Sequence, residues 1–198
     1  VGGSSPSPGT NNKVSYLKRL AGFALPRTCC SILQSCTAEL RDDASTRVVI
    51  VTGAPPAFSA GAHASFKKGM SAEERRQMFL GRKSQFRRLF EGVNTLLENL
   101  EQVTIAMING HAIGGGWGLA LACDFWFAAA EAQLWIPEVD LGVPLGVAST
   151  ARFVRLVGPG RAKEIIMEGR RYSAAEAQAL GLVHRVVPDA DLDRTVRE

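Results

Sequence analysis

The stretch TIAMINGHAIGGGWGLALACDFWFAA, residues 104–129, decides the fold. Thr104 to Gly110 is an apolar run closed by glycine, the pattern of a strand buried on both faces. The small residues of HAIGGGWGLALACD then let a helix start tightly against a sheet, and the chain resumes as a strand from Asp124. On the N-terminal side, RVVIVTG (Arg47 to Gly53) is a β-branched run of the same kind, followed by PPAFSAGA, whose prolines and small residues predict a loop. Further out, Val14 to Lys18 is expected as a strand and Ser31 to Leu40 as a helix. Phe86, Leu89, Phe90, Val93, Leu96, Leu97 and Leu100 recur at helical spacing and predict a long amphipathic helix, which core packing explains without a cofactor. Towards the C-terminus, Ser173-Ala-Ala-Glu176 is a capping-box pattern and Gly181 follows the last turn, so a short helix is expected over Ser173 to Leu180, with LVHRVV as a further strand. Strands alternating with helices predict an α/β chain with largely parallel pairing and right-handed crossovers.

At 198 residues, 46% hydrophobic and 21% charged, the composition is that of one soluble globular domain. Residues 1–13 read as a disordered tail and 14–198 as the domain. No window approaches the ~18 consecutive apolar residues of a membrane span, and VGGSSPSPGTNN lacks the basic and apolar regions of a secretory signal. Cys29, Cys30, Cys36 and Cys123 match neither a zinc spacing nor a CxxC pair, so reduced, packed thiols are expected. Cytoplasmic localisation follows, with a mitochondrial or peroxisomal matrix as the alternatives. The net charge is +4, and the segment from Lys67 to Phe90 alone carries a surplus of six positive charges. That segment is read as a solvated helix face or a contact for an anionic small molecule. Nucleic acid is not expected, because no recognised binding module accompanies it.

Several motifs fail. The glycine-dense stretch Gly110 to Gly118 fits neither GxGxxG nor GxxxxGK[ST], and FSAG around Ser59 is not GxSxG. Histidines at 63, 111 and 184 are scattered, so no metal site is expected. Two glycine-containing loops remain, each after a buried strand: Ser59-Ala-Gly-Ala62 and Gly114-Gly-Gly116. Small residues there let a ligand approach main-chain N–H groups, and two converging N–H groups form an oxyanion hole.

AFSAGAHASF, INGHAIGGGWGLALACDFWFAA, IPEVDLGVPLG and GRRYSAAEAQALGLVHRVVP, taken together and in this order, resemble the crotonase family, the enoyl-CoA hydratase/isomerase superfamily, from about Arg47 to Pro188. The resemblance implies a crotonase-like ββα spiral and an acyl-CoA thioester as substrate. Coenzyme A would then be part of the substrate, with no other cofactor and no metal required. The family's oxyanion donors map to the N–H groups of Ala62 and Gly115, and Ala60, Ala62, Lys67 and Lys68 are the expected coenzyme A contacts. His63 stands where the family usually has aspartate and is not read as catalytic. Family hydratases use one glutamate two residues after the GGG motif and a second in a PE motif; here the first position is Gly118 and the second is Glu138. Glycine cannot carry a proton, so single-glutamate proton transfer, as in the family's isomerases, is favoured over two-glutamate hydration. Asp140, the nearest other carboxylate, is read as facing away from Glu138 along an extended segment.

A CoA-ester decarboxylase or C–C lyase is the alternative enzyme, since an oxyanion hole also stabilises the enolate those reactions form. A non-catalytic acyl-CoA-binding or RNA-binding relative is the alternative without chemistry. The N-terminal VSYLKRLAGFALPRTCC matches the family poorly, so no adenine contact is named there. The C-terminal helices that in relatives cover the acyl site and build the trimer are expected to be missing or shortened here. A homo-trimer or hexamer is the assembly the resemblance implies, with no membrane partner.

Overall fold

Two sheets are built in alternation by a chain that repeats strand, strand, helix. The computed structural model describes residues 13–20, 27–61, 70–71, 73–74, 76–77, 91–142, 144–146 and 149–198, with backbone alone for 13–20 and 27–32. Before the repeat come β1 (Lys13–Leu20) and α1 (Arg27–Arg41). The first turn of the spiral is β2 (Thr46–Gly53), β3 (Ala57–Ser59) and a helix α2 described over 91–98. The second is β4 (Val103–Ile108), β5 (His111–Ile113) and α3 (Gly115–Ala120). The third is β6 (Phe125–Ala129), β7 (Gln133–Trp135) and α4 (Ser149–Glu168). The last is β8 (Arg171–Ser173), α5 (Ala174–Ala179), β9 (Arg185–Val187) and α6 (Asp189–Arg197).

The long strands form one sheet in the order β1-β2-β4-β6-β9, and the three-residue strands form a second in the order β3-β5-β7-β8. Every described pairing is parallel except β7 with β8. Each turn therefore adds one strand to each sheet, which is a ββα spiral. The expected parallel α/β architecture is present, and its strands β2 and β4 are buried along most of their length because both sheet faces are covered.

Local chemistry fixes each corner of the spiral. Asn109, just after β4, accepts from the Gly53 N–H (3.0 Å) and returns a bond to the Gly53 carbonyl (3.1 Å), so the ends of β2 and β4 are tied together. A Cβ on Gly110 would collide with the Pro56 carbonyl, which explains glycine where successive corners stack. At the other end of β4, Asp124 accepts from both the Thr104 N–H and the Thr104 hydroxyl at 2.7 Å, and its own N–H donates to that hydroxyl. The strand expected over Thr104 to Gly110 therefore stops at Ile108, because Asn109 and Gly110 make the corner.

Two expectations need correction, and one element has no counterpart in the sequence reading. PPAFSAGA is not loop throughout: Ala57–Ser59 is a strand, too short to display a period of its own. The helix expected within HAIGGGWGLALACD is preceded by strand β5. The α4 helix is broken at Gly158 (φ 78°) next to Pro159, which removes a helical N–H and hides the element from a periodicity reading. The capping box is formed as expected: the Glu176 N–H donates to the Ser173 hydroxyl (3.2 Å) and the Ser173 N–H donates to the Glu176 carboxylate (2.8 Å). Of the amphipathic helix expected from Phe86, the part up to residue 90 lies outside the described residues.

Candidate active site

The site is assembled where three loops meet at the start of α3. After β3, the Gly61 N–H donates to the buried Ser59 hydroxyl (3.2 Å), and Gly61 takes φ 76°. A Cβ on Gly61 would collide with the Ile113 carbonyl and stand 3.2 Å from the Gly115 nitrogen. The first glycine loop therefore lies against the second. Ala60 is half-buried in this turn, while Ala62, His63, Lys67 and Lys68 lie outside the described residues.

The second loop caps α3. Gly114 has φ 50° and ψ −116°, a region closed to side-chain-bearing residues, and its N–H donates to the Trp135 carbonyl (2.9 Å). Gly115 is the first, buried residue of the helix, so its N–H has no intrahelical acceptor. A Cβ on Gly116 would stand 2.5 Å from the Ser59 carbonyl oxygen. The Gly114–Gly116 run is thus demanded by close approach at two of its positions.

Glu138 comes from the third loop, after β7. Its carboxylate is so close that a Cβ on Gly114 would stand 2.5 Å from Oε1. The other oxygen, Oε2, is sealed from solvent and has no hydrogen-bond partner among the described residues. Burial pushes the pKa up to about 7. A carboxylate so desolvated is a base poised for work near neutral pH.

Gly118 is buried one turn along α3, where its N–H donates to the Gly114 carbonyl (3.0 Å). No carboxylate enters the site from that position. Trp117 beside it is turned into the core, edge-on to Phe153 (centroids 5.0 Å apart) and Tyr172 (6.3 Å). Asp140 is exposed, and the expectation of an extended segment there needs correction. The segment is turn, not extended chain, with Leu141 N–H bonded to the Pro137 carbonyl and Gly142 N–H to the Val139 carbonyl.

His111 and His184 each use Nδ1 to accept a backbone N–H, from Gln133 (3.3 Å) and Trp126 (3.0 Å). Among the described residues no group of three or more His, Cys, Asp or Glu side chains could hold a metal ion. No helix among them is long and apolar enough to cross a membrane. The sequence reading missed Ser59, whose hydroxyl shapes the first loop; its position in the glycine-containing turn was the available signal.

The family description Enoyl-CoA hydratase/isomerase matches residues 17–198. Crotonyl-CoA hydratase of Syntrophomonas wolfei is 39% identical over 181 residues, covering 90% of this chain and 66% of that protein. Among solved structures, enoyl-CoA hydratase from Bacillus anthracis superposes with a TM-score of 0.77 at 40% identity, over 88% of this chain and 65% of that one. A monofunctional enoyl CoA isomerase from M. smegmatis superposes with a TM-score of 0.70 at 34% identity, over 88% of this chain and 70% of its own. The chain spans just under two-thirds of the two hydratases' length. With its family match running through both glycine loops and Glu138, the chain belongs to the enoyl-CoA hydratase/isomerase family and has the crotonase fold.

Proposed function

We propose that this chain binds an acyl-CoA thioester and shifts a proton along its acyl chain with Glu138 as the single carboxylate. In the reaction, the Glu138 carboxylate takes a proton from C2 of a 3-enoyl thioester. The C–H electron pair passes to the thioester oxygen, which the N–H groups of Ala62 and Gly115 hold. The carboxylic acid then returns the proton to C4, the double bond settles between C2 and C3, and no water is consumed. The transfer needs no cofactor apart from the coenzyme A that the substrate brings. Lys67 and Lys68 supply positive charge for its phosphates.

The observation that carries this reading is the pairing of a buried Glu138 carboxylate against Gly114 with a bare Gly118 one turn on. Adding water across a double bond asks for two groups to manage the water's protons, whereas moving one proton between two carbons of one face asks for one. The reading is tested by incubating the protein with 3-enoyl-CoA and 2-enoyl-CoA in deuterated water. Deuterium incorporation and double-bond migration should far outpace hydration, and both should vanish in Glu138→Gln. Efficient hydration of 2-enoyl-CoA that survives Glu138→Gln overturns the single-glutamate mechanism.

A further inference from the structure

We propose that Ser59 is a positioning residue of the oxyanion hole: its hydroxyl fixes the peptide ahead of the Ala62 donor, and its side chain holds that loop against the Gly115 donor. The proposal rests on the acyl-CoA reading above and adds the side chain that sets the two donors.

Glycine creates the need for such a residue. Gly61 and Gly114 lie at φ 76° and φ 50°, where other residues are strained. Glycine visits these regions about as readily as the ordinary ones, so its own sterics do not keep a loop in one conformation. Donors that stabilise developing charge work because they are aimed before the reaction starts. In the second loop the hold comes from the Trp135 carbonyl, which accepts the Gly114 N–H at 2.9 Å. In the first loop it comes from the Ser59 hydroxyl, which accepts the Gly61 N–H at 3.2 Å. Gly61 is buried, and a buried N–H left without an acceptor is costly, so removal of that oxygen favours a turned peptide. Turning it changes φ of Gly61 and swings the next peptide, the one that carries the Ala62 N–H.

The same side chain reaches the second loop. A Cβ on Gly116 would stand 2.7 Å from the Ser59 Cβ and 2.8 Å from its Oγ. Ser59 therefore packs against the residue after one donor while bonding the residue before the other. The backbone is adapted to bring it there. Ala57 pairs with His111, and a regular parallel ladder would set Ser59 opposite Ile113, yet the register slips and Ser59 pairs with Ala112. Such irregularities re-aim side chains beside functional sites. At 4% exposed, Ser59 is shut away from solvent, so water does not take over its bond to Gly61. Negative charge on the thioester oxygen is far larger in the enolate than in the bound ester, so a misaimed donor is felt in turnover more than in binding.

Turnover of 3-butenoyl-, 3-hexenoyl- and 3-octenoyl-CoA is measured for the unmodified protein, Ser59→Ala and Ser59→Cys, with calorimetric binding of butyryl-CoA as the ground-state reference. Ser59→Ala should lower kcat by about 10- to 100-fold, less than the full loss of a donor, while KM and butyryl-CoA affinity stay within about threefold. Ser59→Cys keeps a weaker acceptor in the same place and should fall between the two. The pH at which kcat/KM levels off should stay near 7 in both variants, because Glu138 keeps its surroundings. An unchanged kcat in folded Ser59→Ala, a loss of butyryl-CoA affinity as large as the loss of kcat, or a moved pH profile overturns the proposal. Should Ser59→Ala not fold, Ser59→Cys decides: a lowered kcat with butyryl-CoA affinity held supports the assignment, and the parent's kcat overturns it. If the unmodified protein neither binds butyryl-CoA nor turns over any of the three 3-enoyl esters, the acyl-CoA reading fails and this proposal falls with it; turnover that Ser59→Ala leaves intact removes the Ser59 proposal alone.

Discussion

The two ends of the short helix α3 treat carboxylates in opposite ways. Just beyond its C-terminal end, Asp124 is exposed yet fully used, receiving two hydrogen bonds from Thr104 that lock β4 to the start of β6. At its N-terminal end, Glu138 is half-buried, with Oε2 sealed from solvent and unbonded among the described residues and its pKa raised by burial. The first arrangement lowers the energy of the fold; the second is tolerated by it. Groups held unsatisfied in a low-dielectric setting are the ones available to a substrate, and the difference separates the part of the motif that builds the spiral from the part that does chemistry.

The largest expected effect tests the unsatisfied end. Glu138→Gln keeps the shape but cannot take a proton, so proton exchange should fall by about 10²–10⁴-fold or more. In the unmodified protein kcat/KM should rise with pH and level off near 7, since the base must be deprotonated and burial has set its pKa at about 7. The stability sign is opposite. A glutamate whose folded pKa lies above its unfolded value of about 4.3 contributes stability that is full below that value and is lost as pH rises through about 7. Melting temperature should therefore decline between pH 5 and pH 8 by more in the parent than in Glu138→Gln. Identical slopes would mean that Glu138 is not desolvated.

Next in size is the attempt to restore a second carboxylate. Gly118→Glu should raise hydration of 2-enoyl-CoA by up to about 10²-fold, as one added general acid–base group allows, at a cost in stability from burying it. Trp117 is committed to Phe153 and Tyr172 and does not compete for that space. Product analysis by chromatography checks it. No gain in a folded variant would mean that the pocket has lost the water position as well as the glutamate.

Asp124→Ala tests the satisfied end. It removes Oδ2, the one oxygen that accepts from both the Thr104 N–H and hydroxyl, and should cost about 1–3 kcal/mol in chemical unfolding. The pH at which kcat/KM levels off should not move, because Glu138 keeps its surroundings. A moved pH profile would couple the two ends and break the contrast.

This contrast also accounts for what the sequence made legible. Long strands such as β2 and β4 are written as apolar runs, the glycine loops stand out because close approach excludes other residues, and Glu138 was legible through the resemblance of IPEVDLGVPLG to the family's motif. The three-residue strands β3, β5 and β7 were not legible, since three residues hold barely one alternation and their pairing is decided by stacking of successive turns. The α4 helix was hidden by Gly158 and Pro159. The α6 helix was readable from Asp189 and Asp191 in its first turn and Arg194 and Arg197 in its last, an arrangement that complements the helix dipole, and it was overlooked.

The smallest effect is expected at the capping box, where the polar groups are satisfied and exposed. Ser173 and Glu176 satisfy each other's backbone N–H groups at the start of α5; the hydrogen bonds from the Ser173 N–H and hydroxyl, and then one from Arg170 (2.9 Å), hold the Glu176 carboxylate well below its ordinary range. Ser173→Ala loses the cap and should lower the melting temperature by about 2–4 °C, a typical cap in a domain of this size. Since Glu176 titrates below its unfolded value, what it contributes is present at neutral pH and lost as pH falls towards 2, the reverse of the Glu138 trend. Differential scanning calorimetry of the parent and Ser173→Ala at pH 7 and pH 3 separates the two carboxylates: the cap's share should shrink at pH 3, while kinetics on any CoA ester at pH 7 stay within twofold of the parent. A kinetic change larger than that would place α5 in contact with the site and remove it from the purely structural side of the comparison.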